Sequence, residues 1–351
     1  MQSTTEKRET QLALTWQCPS NIAIVKYWGK RENQIPCNSS LSLTLSNSYT
    51  EVKLALQKKE TVSPVELDYF FEGQKNEKFS ERVAKYMQDN ARFFPFLTDY
   101  AVRIDSENSF PHSAGIASSA SAFGAIALSL YEATYRLENK ELDQEFYHVA
   151  SNLARLGSGS ASRSMFANWA EWGKNTLIPG SSDEFAIPVT EIHANFSNMY
   201  DAILIVEDEP KKVSSSAGHS LMNNHQYADQ RFLQANERTA RLAEVLKNGD
   251  YAEFIHIAES EALTLHAMMM TSVDYYLLMK PGTLLAIERL LEYRRETGIP
   301  VCFTLDAGPN VHVLYPEQYK DKVESFIMND LQDTYKKVIF DKQGTGPVSV
   351  K

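Results

Sequence analysis

Two lysines stand at the end of a strand-like run near the start of the chain. The apolar run at 22–25 is followed directly by Lys26, Tyr27 and Lys30. The turn-prone residues 33–36 come next, so this segment is expected to leave a sheet and cross a surface cleft. Two cations beside a strand end indicate an anionic small molecule. A solvated, lysine-rich strand end is the alternative for such a run taken alone.

A second segment, residues 111–120, consists almost entirely of small side chains between a predicted strand and an apolar helix. Small residues let backbone N–H groups approach a phosphate closely, and the helix that follows presents its positive N-terminal end to the same anion. Ser118 and Ser119 could add hydroxyl donors or a ligand for Mg2+. The segment is not a Walker loop, because no Gly-Lys-Ser/Thr follows. The alternative is a serine N-cap on a tightly packed helix.

A third segment, residues 156–164, lies where one predicted helix ends and the next begins. Gly157 suits a helix C-cap, and Ser158 and Ser160 could donate hydrogen bonds to anionic oxygens beside free backbone donors. Arg163 follows in the next helix, where its planar guanidinium suits bidentate binding of a carboxylate or phosphate. A flexible connection between two helices is the alternative.

A fourth segment, residues 304–311, predicts a strand, a tight turn and a returning strand. Asp306 opens the turn, where an aspartate is usually structural because its carboxylate accepts local backbone hydrogen bonds. A carboxylate fixed on a rigid turn beside two basic segments could instead orient or deprotonate a hydroxyl. The loop at 211–218 is a smaller candidate, either a solvated loop or a lid that closes over substrate.

Composition excludes several classes of partner. With a formal net charge of −10 and a pI near 5.4, the chain is not expected to bind nucleic acid or an anionic membrane. No run approaches the roughly 18 apolar residues of a membrane span, and residues 1–10 lack the apolar core of a signal peptide. A cytoplasmic protein is therefore expected. Cys18, Cys37 and Cys302 have unrelated spacings, which indicates neither a disulfide framework nor a zinc site.

Hydrophobic periodicity predicts two α+β lobes, with a boundary near residues 187–196 that gives lobes of 1–190 and 191–351. No pair of histidines has a convincing metal-ligand spacing, so all of them are assigned to the surface or the core. The predicted strands lie at 22–25, 41–45, 51–56, 65–71, 100–104, 202–206, 301–305 and 311–314, and the helices at 79–92, 120–135, 142–156, 225–247, 251–270 and 281–297, with a final helix after the last strand.

In this order, the four segments resemble the GHMP family of small-molecule kinases and, within it, the diphosphomevalonate decarboxylases. Residues 21–30 match the pattern N-I-A-x-x-K-Y-W-G-K, and residues 111–120 resemble the phosphate loop P-x-x-A-G-L-A-S-S-A. Residues 158–164 resemble S-G-S-A-x-R-S, and residues 306–310 match D-A-G-P-N. The likeness spans almost the whole chain, because it extends to residues 38–42 and 344–347.

The resemblance implies a two-step reaction, the ATP-dependent decarboxylation of mevalonate 5-diphosphate in isoprenoid biosynthesis. ATP would phosphorylate the C3 hydroxyl, and loss of that phosphate together with CO2 would leave isopentenyl diphosphate. The family fold implies an N-terminal lobe like ribosomal protein S5 domain 2 and a ferredoxin-like C-terminal lobe, with the cleft between them. ATP and Mg2+ are the implied cofactors, and the family suggests a homodimer.

By the same resemblance, the residues that match the family motifs take defined roles. Asp306 would orient or deprotonate the hydroxyl, and Asn21 would position it. Arg163 would hold the C1 carboxylate, while Lys26 would stabilise charge on the transferring phosphoryl group. The substrate would also bind to Tyr27, Lys30, Ser158, Gly159, Ser160 and Ser215, and the ATP phosphates and Mg2+ would bind at Gly115, Ile116, Ala117, Ser118 and Ser119, with Ser119 as the metal ligand.

The chain departs from the family pattern at several positions. Residues 112–113 and 121–122 replace the usual Thr-Ala and Ala-Gly pairs, which could loosen the nucleotide preference. Ser216 stands where threonine or arginine is common, so the length of the 5-phosphate stays open. A phosphomevalonate decarboxylase, a mevalonate 3-kinase and a non-catalytic GHMP-fold ligand-binding protein are the alternatives. A kinase that does not decarboxylate would have less need of Arg163 and Lys26, which favours the decarboxylase.

Overall fold

The larger of two sheets is built on a pair of long strands near the N-terminus. The computed structural model describes residues 9–63, 65–111, 118–208 and 215–350, without the side chains of 215 and 216. In it, β1 (Thr10–Val25) and β2 (Ser40–Lys58) pair antiparallel over most of their length. The sheet also contains β3 (Leu67–Phe71), β4 (Gln74–Lys75), β5 (Tyr100–Asn108), β6 (Trp169–Trp172) and β7 (Ala186–Pro188).

Strand β2 is continuous where the sequence predicts two strands, at 41–45 and 51–56. The polar residues between them stay in the strand because their backbone N–H groups bind one carboxylate. The side chain of Asp341 accepts hydrogen bonds from the backbone of Ser46, Asn47 and Ser48, at 3.0, 2.7 and 2.8 Å. A distant carboxylate thus satisfies donors that a turn would otherwise leave to solvent.

A second, smaller sheet is entirely antiparallel and has the strand order β11-β8-β10-β9. It comprises β8 (Met199–Ile205), β9 (Cys302–Leu305), β10 (Val311–Pro316) and β11 (Lys337–Lys342). The tight turn with Asp306 joins β9 to β10, as predicted. The last strand, β12 (Val348–Val350), does not belong to this sheet, because it pairs with residues 15–17 of β1.

The predicted helices are confirmed, with ends that differ by a few residues. Asp143 and Asp250 cap two of them, accepting hydrogen bonds from Phe146 N at 2.8 Å and Glu253 N at 3.1 Å. Gly249 ends another in a left-handed conformation, φ 80°. In chain order the helices are α1 (Glu77–Asp89), α2 (Ser118–Leu137), α3 (Gln144–Gly157), α4 (Ser215–Ser220), α5 (Ala228–Asn248), α6 (Tyr251–Met270), α7 (Pro281–Thr297) and α8 (Lys320–Asp330).

A shared apolar core joins the larger sheet to the smaller one. Ile22 of β1 and Leu43 of β2 pack in one buried cluster with Ile203 of β8, Leu242 of α5 and Phe254 of α6. The C-terminal end of β1 is therefore packed against helices that follow it by about 200 residues in sequence. This packing confirms a mixed α+β fold and brings the residues after Val25 close to α5 and α6.

Three cysteines, Cys18, Cys37 and Cys302, are free. Across the described ranges, no helix has the length and apolar character that a membrane crossing requires.

Candidate active site

One cavity of about 290 Å³ is lined by residues from all four of the predicted segments. It lies where the end of β1, the start of α2, the connection after α3 and the β9–β10 turn converge. Because these elements come from distant parts of the chain, only the folded protein assembles the cavity. The predicted residues that line it are Asn21, Lys26, Tyr27, Lys30, Ser119, Ser158, Gly159, Ser160, Arg163 and Asp306.

Arg163 is a buried cation, and its hydrogen-bond acceptors within the described part of the chain are all neutral oxygens. Its Nε donates to Ser42 Oγ at 3.0 Å, and its Nη1 donates to Ser40 Oγ at 2.7 Å. Nη2 donates to the Oδ1 of Asn21 at 3.3 Å. Burial lowers the pKa of the guanidinium to about 10, which leaves it charged at neutral pH. Because no carboxylate among these partners neutralises it, the charge is available to an anion in the cavity.

Asn21 connects the third segment to the end of β1. Its Nδ2 donates to Ser164 Oγ at 2.8 Å and to the carbonyl of Ser160 at 3.1 Å, while its Oδ1 accepts from Arg163. A register shift in β1 between Pro19 and Asn21 re-aims this side chain toward the cavity. Asn21 and Arg163 thus form one fixed polar unit.

The cation of Lys26 lies beside the carboxylate of Asp306. The Lys26 Nζ is 3.2 Å from Asp306 Oδ1. The lysine is almost completely buried, whereas the aspartate side chain is 29% exposed. Burial lowers the pKa of Lys26, and the opposite charge of Asp306 counteracts that effect. The pair supplies a carboxylate that a ligand can reach and a cation enclosed behind it.

Tyr27 places an unpartnered hydroxyl at the third segment. Its ring packs against Trp172, with ring centroids 4.7 Å apart. Burial raises the pKa of the hydroxyl, which has no hydrogen-bond partner among the described residues. A side chain at Gly159 would approach this hydroxyl to 2.8 Å, so the glycine is required for the close contact. The hydroxyl is a neutral donor in need of an acceptor.

His219, which the sequence analysis assigned to the surface or core, is a lining residue of the cavity. Its Nδ1 accepts a hydrogen bond from the backbone N–H of Gly29 at 3.1 Å, and its ring lies 4.3 Å from that of Tyr27. Burial and the charge of Lys30 lower its pKa to about 3. The imidazole is therefore neutral, with its proton on Nε2. No local pattern marked it, because α4 brings it in from a segment that reads as a loop.

Two cations lie at the rim of the cavity. Lys30 donates from Nζ to Gln34 Oε1 at 3.0 Å, and burial followed by the charge of Arg82 lowers its pKa. Arg82 donates to the carbonyl of Gly157 at 2.7 Å and stacks over Phe123, 4.5 Å from the ring centroid. Arg82 is not predictable as a site residue from the sequence, because it lies in the middle of α1 with no motif around it.

The start of α2 borders the same cavity. Ser118 is its first residue, and the Oγ of Ser119 lies 3.1 Å from the Oγ of Ser158. Hydroxyl and backbone donors at a helix N-terminus beside several cations suit the phosphates of a nucleotide, and a serine hydroxyl suits Mg2+. Of the remaining predicted residues, Gly115, Ile116 and Ala117 lie outside the described residues, as does the side chain of Ser215.

Two family models together match most of the chain. Residues 18–186 match the diphosphomevalonate decarboxylase-like N-terminal domain, and residues 202–349 match the mevalonate 5-diphosphate decarboxylase C-terminal domain. A diphosphomevalonate decarboxylase of Debaryomyces hansenii is 30% identical, and the match covers 87% of this chain and 80% of the relative. Both observations agree with the resemblance carried by the four segments.

Solved structures give the same result. The mevalonate diphosphate decarboxylase of Staphylococcus aureus has a TM-score of 0.83 to this chain and 29% identity, covering 97% of this chain and 98% of that one. A protein described as MDDEF, solved in complex with MVAPP, AMPPCP and magnesium, has a TM-score of 0.78 and 28% identity, covering 97% and 99%. This chain therefore belongs to the diphosphomevalonate decarboxylase family of the GHMP kinase fold.

Proposed function

We propose that the chain catalyses the ATP-dependent decarboxylation of mevalonate 5-diphosphate to isopentenyl diphosphate, releasing ADP, phosphate and CO2. The observation that carries the proposal is the presence, in one cavity, of an accessible carboxylate and of a buried guanidinium whose hydrogen-bond partners among the described residues are all neutral. Asp306 provides the first and Arg163 the second. A substrate that carries both a hydroxyl and a carboxylate can place its hydroxyl at Asp306 and its carboxylate at Arg163.

The first chemical step is phosphoryl transfer to the C3 hydroxyl. Asp306 orients this hydroxyl or accepts its proton, and Asn21 holds the substrate in register through the unit it forms with Arg163. Lys26 counters the negative charge that develops in the transition state, a contribution of placement and electrostatics. ATP supplies the phosphoryl group.

The second step breaks two bonds. The C3–O bond breaks and phosphate leaves with its electron pair, while the C1–C2 bond breaks and its electrons form the C2–C3 double bond. C1 leaves as CO2. Arg163 holds the C1 carboxylate until this step, and its three neutral acceptors keep the guanidinium in one orientation.

We assign the 5-diphosphate to the donor-rich side of the cavity. The buried hydroxyl of Tyr27 needs an acceptor, and Lys30 adds a cation at the rim. Arg82, which the motifs did not indicate, supplies a second rim cation. Ser158, Gly159 and Ser160 complete this proposed subsite, together with Ser215 of α4.

We assign the ATP phosphates to the start of α2. Ser118 and Ser119 are the first residues of that helix, where backbone donors and the helix dipole favour an anion. The proposed subsite continues into Gly115, Ile116 and Ala117, which precede the helix. Mg2+ would neutralise phosphate charge, and Ser119 is its proposed protein ligand. The relative bound to AMPPCP and magnesium supports both cofactors.

We further propose lobes of 1–190 and 191–351, like ribosomal protein S5 domain 2 and a ferredoxin fold respectively, as the resemblance implies. A cytoplasmic location and a homodimer are proposed on the same basis. Sedimentation equilibrium of the purified protein measures its mass, and a species of 39.7 kDa alone would contradict the homodimer.

The experiment is to incubate the purified protein with Mg-ATP and each of mevalonate, its 5-phosphate and its 5-diphosphate. Release of ADP and CO2 is measured for each. CO2 release from the 5-diphosphate, dependent on ATP, is the expected result. ADP without CO2 would identify a 3-kinase, faster CO2 release from the 5-phosphate would identify a monophosphate enzyme, and no turnover with any compound would contradict the proposal.

A further inference from the structure

Helix α6 contacts both members of the Lys26–Asp306 pair through their backbones. The carboxylate of Glu261 accepts a hydrogen bond from the Lys26 N–H at 3.0 Å. About one and a half turns later on the helix, His266 Nε2 lies 3.1 Å from the carbonyl oxygen of Asp306. Since a carbonyl oxygen only accepts, this ring nitrogen carries the proton. One rigid helix thus spans the distance between a strand end and a turn that are far apart in sequence.

The contact at Glu261 belongs to a buried charge network. Arg231 of α5 donates to both carboxylate oxygens, at 2.6 and 2.8 Å, and Arg238 adds a third hydrogen bond at 2.8 Å. Arg231 also donates to the carbonyl of Lys26 at 3.3 Å. This almost completely buried ion pair therefore binds both backbone groups of Lys26, and the Lys26 carbonyl also accepts a hydrogen bond from Asn38 Nδ2 at 2.9 Å.

At neutral pH the carboxylate of Glu261 is charged and the imidazole of His266 is neutral, so both hydrogen bonds persist. Burial opposes the charge on Glu261, but Arg231 and Arg238 outweigh it and bring the pKa of the carboxyl below its ordinary value. Burial also lowers the pKa of His266, to about 4, so its ring is a neutral donor. A buried ion pair adds little net stability compared with a well-packed apolar pair. Its direct contact with the backbone of Lys26 suggests a different role.

We propose that Glu261 and His266 are positioning residues that hold Lys26 and Asp306 in their catalytic geometry, with Arg231 fixing Glu261. The inference rests on the proposed function, since the pair matters only if it acts on the substrate. A displacement of the order of an ångström at a reacting centre can cost about 100-fold in rate. Neither Glu261 nor His266 is among the residues that line the cavity, so their loss is expected to act on turnover more than on affinity.

The test compares two glutamates of the same helix. Glu261→Gln removes the negative charge that strengthens the hydrogen bond from the Lys26 N–H. Glu259→Gln instead breaks the ion pair with Arg294, which lies outside the cavity. Glu261→Gln is expected to lower kcat at least about 10-fold with KM values changed less than about 3-fold. Glu259→Gln is expected to stay within about 2-fold of the wild type. Equal kcat values for the two variants would overturn the proposal.

A second position keeps the inference testable if Glu261→Gln does not fold. His266→Phe removes the donor to Asp306, and His266→Asn retains an N–H donor on a shorter side chain. The expected result is a loss of kcat with phenylalanine that asparagine partly restores. Identical kcat values for the two His266 variants would count against a positioning role, because His266 would then contribute only through its packing in the core.

Crystal structures separate this inference from the proposed function. In Glu261→Gln, Lys26 Nζ is expected to leave hydrogen-bond distance of Asp306 Oδ1, and in Glu259→Gln it is expected to stay. This readout needs no turnover, so it stands even if the wild-type protein proves inactive on mevalonate 5-diphosphate. An unchanged Lys26–Asp306 distance in Glu261→Gln would overturn the inference and leave the proposed function intact.

Discussion

Lys26 Nζ and Asp306 Oδ1 lie 3.2 Å apart, although 280 positions separate the two residues in sequence. The lysine is enclosed, with 2% of its side chain exposed, and the aspartate is 29% exposed. A substrate can therefore reach the carboxylate of Asp306, while the enclosed ammonium group of Lys26 lies on the protein side of that carboxylate. This asymmetry suits a carboxylate that handles a hydroxyl proton and a cation that balances charge.

Asp306→Asn is expected to lower turnover about 100-fold or more, because the amide cannot accept the hydroxyl proton. Binding of mevalonate 5-diphosphate and of ATP should persist, since the amide keeps the shape of the side chain. Isothermal titration with each ligand and single-turnover assays separate these effects. Asp105→Asn, which alters an exposed ion pair with Arg103, is the control. Turnover within a few fold of the wild type would reduce Asp306 to a turn residue.

Arg163→Lys is expected to reduce kcat/KM at least about 10-fold although it preserves the charge. The guanidinium makes three hydrogen bonds in fixed directions, to Ser40, Ser42 and Asn21, and an ammonium group cannot reproduce that geometry. Steady-state kinetics of CO2 release measure the effect, with the exposed Arg103→Lys as the matched control. An unimpaired Arg163→Lys variant would contradict a role in holding the carboxylate.

The pH dependence of turnover is expected to show the ionisation of Lys26. Because burial lowers the pKa of this amine, its charged form is lost at a lower pH than for an ordinary lysine, and kcat should fall as pH rises through that value. Lys26→Arg keeps its charge, so the basic limb of its residual activity should move to higher pH. Lys336→Gln, at an exposed lysine, should leave the limb in place. If the basic limb of Lys26→Arg lies at the same pH as in the wild type, that limb reports the ionisation of another group.

The sequence predicts the parts of the site that lie in local motifs, and the structure brings them together. Lys26, Arg163 and Asp306 follow strand ends, turns or short connections, where residue types carry a local signal. Arg82 and Glu261 could not be found this way, because each lies within a regular helix and resembles a solvated charge. Only the packing of α1 and α6 against distant segments gives them a place at the site.

The same limit applies to the fold. Helix positions were predictable from periodicity, but the continuity of β2 depends on Asp341, which is almost 300 residues away. The pairing of β12 with β1 likewise joins the two ends of the chain. No local pattern contains information about such partners, so these features required the structure.

Glu171→Gln is expected to stabilise the protein at alkaline pH. Glu171 is fully buried on β6, and neither carboxyl oxygen has a hydrogen-bond partner among the described residues. Burial, only partly opposed by the charge of Arg163, raises its pKa from 4.5 to about 9. Between these values the folded state binds more protons than the unfolded state, so this carboxyl makes the free energy of unfolding decrease as pH rises.

Glutamine has the same shape as glutamate and does not ionise. Glu171→Gln therefore removes this decrease in the free energy of unfolding with rising pH. Denaturant unfolding should show the variant more stable than the wild type at pH 8, by up to about 5 kcal/mol, and equal to it near pH 4. The exposed Glu184→Gln is the control and should change neither value. A variant less stable than the wild type at pH 8 would mean that Glu171 is ionised and paired in the folded protein.

Lys30→Met is expected to reduce the preference for the 5-diphosphate over the 5-monophosphate. Tyr27, Lys30, Ser158 and Ser160 form a donor-rich set in one cavity, and unpaired donors in such a cavity cost on the order of 1–3 kcal/mol each. The wild type should therefore prefer the 5-diphosphate at least about 10-fold in kcat/KM. Competition between the two substrates, with CO2 as the product, measures this ratio directly.

The substitution should change that ratio more than it changes the KM for ATP, because Lys30 belongs to the proposed diphosphate subsite and not to the proposed nucleotide subsite. Lys75→Met, at an exposed lysine paired with Asp68, is the control and should leave the ratio unchanged. If the wild type releases CO2 from mevalonate 5-phosphate as fast as from the 5-diphosphate, the second phosphoryl group has no binding site of its own. The departure from the family pattern at Ser216 would then mark a monophosphate enzyme.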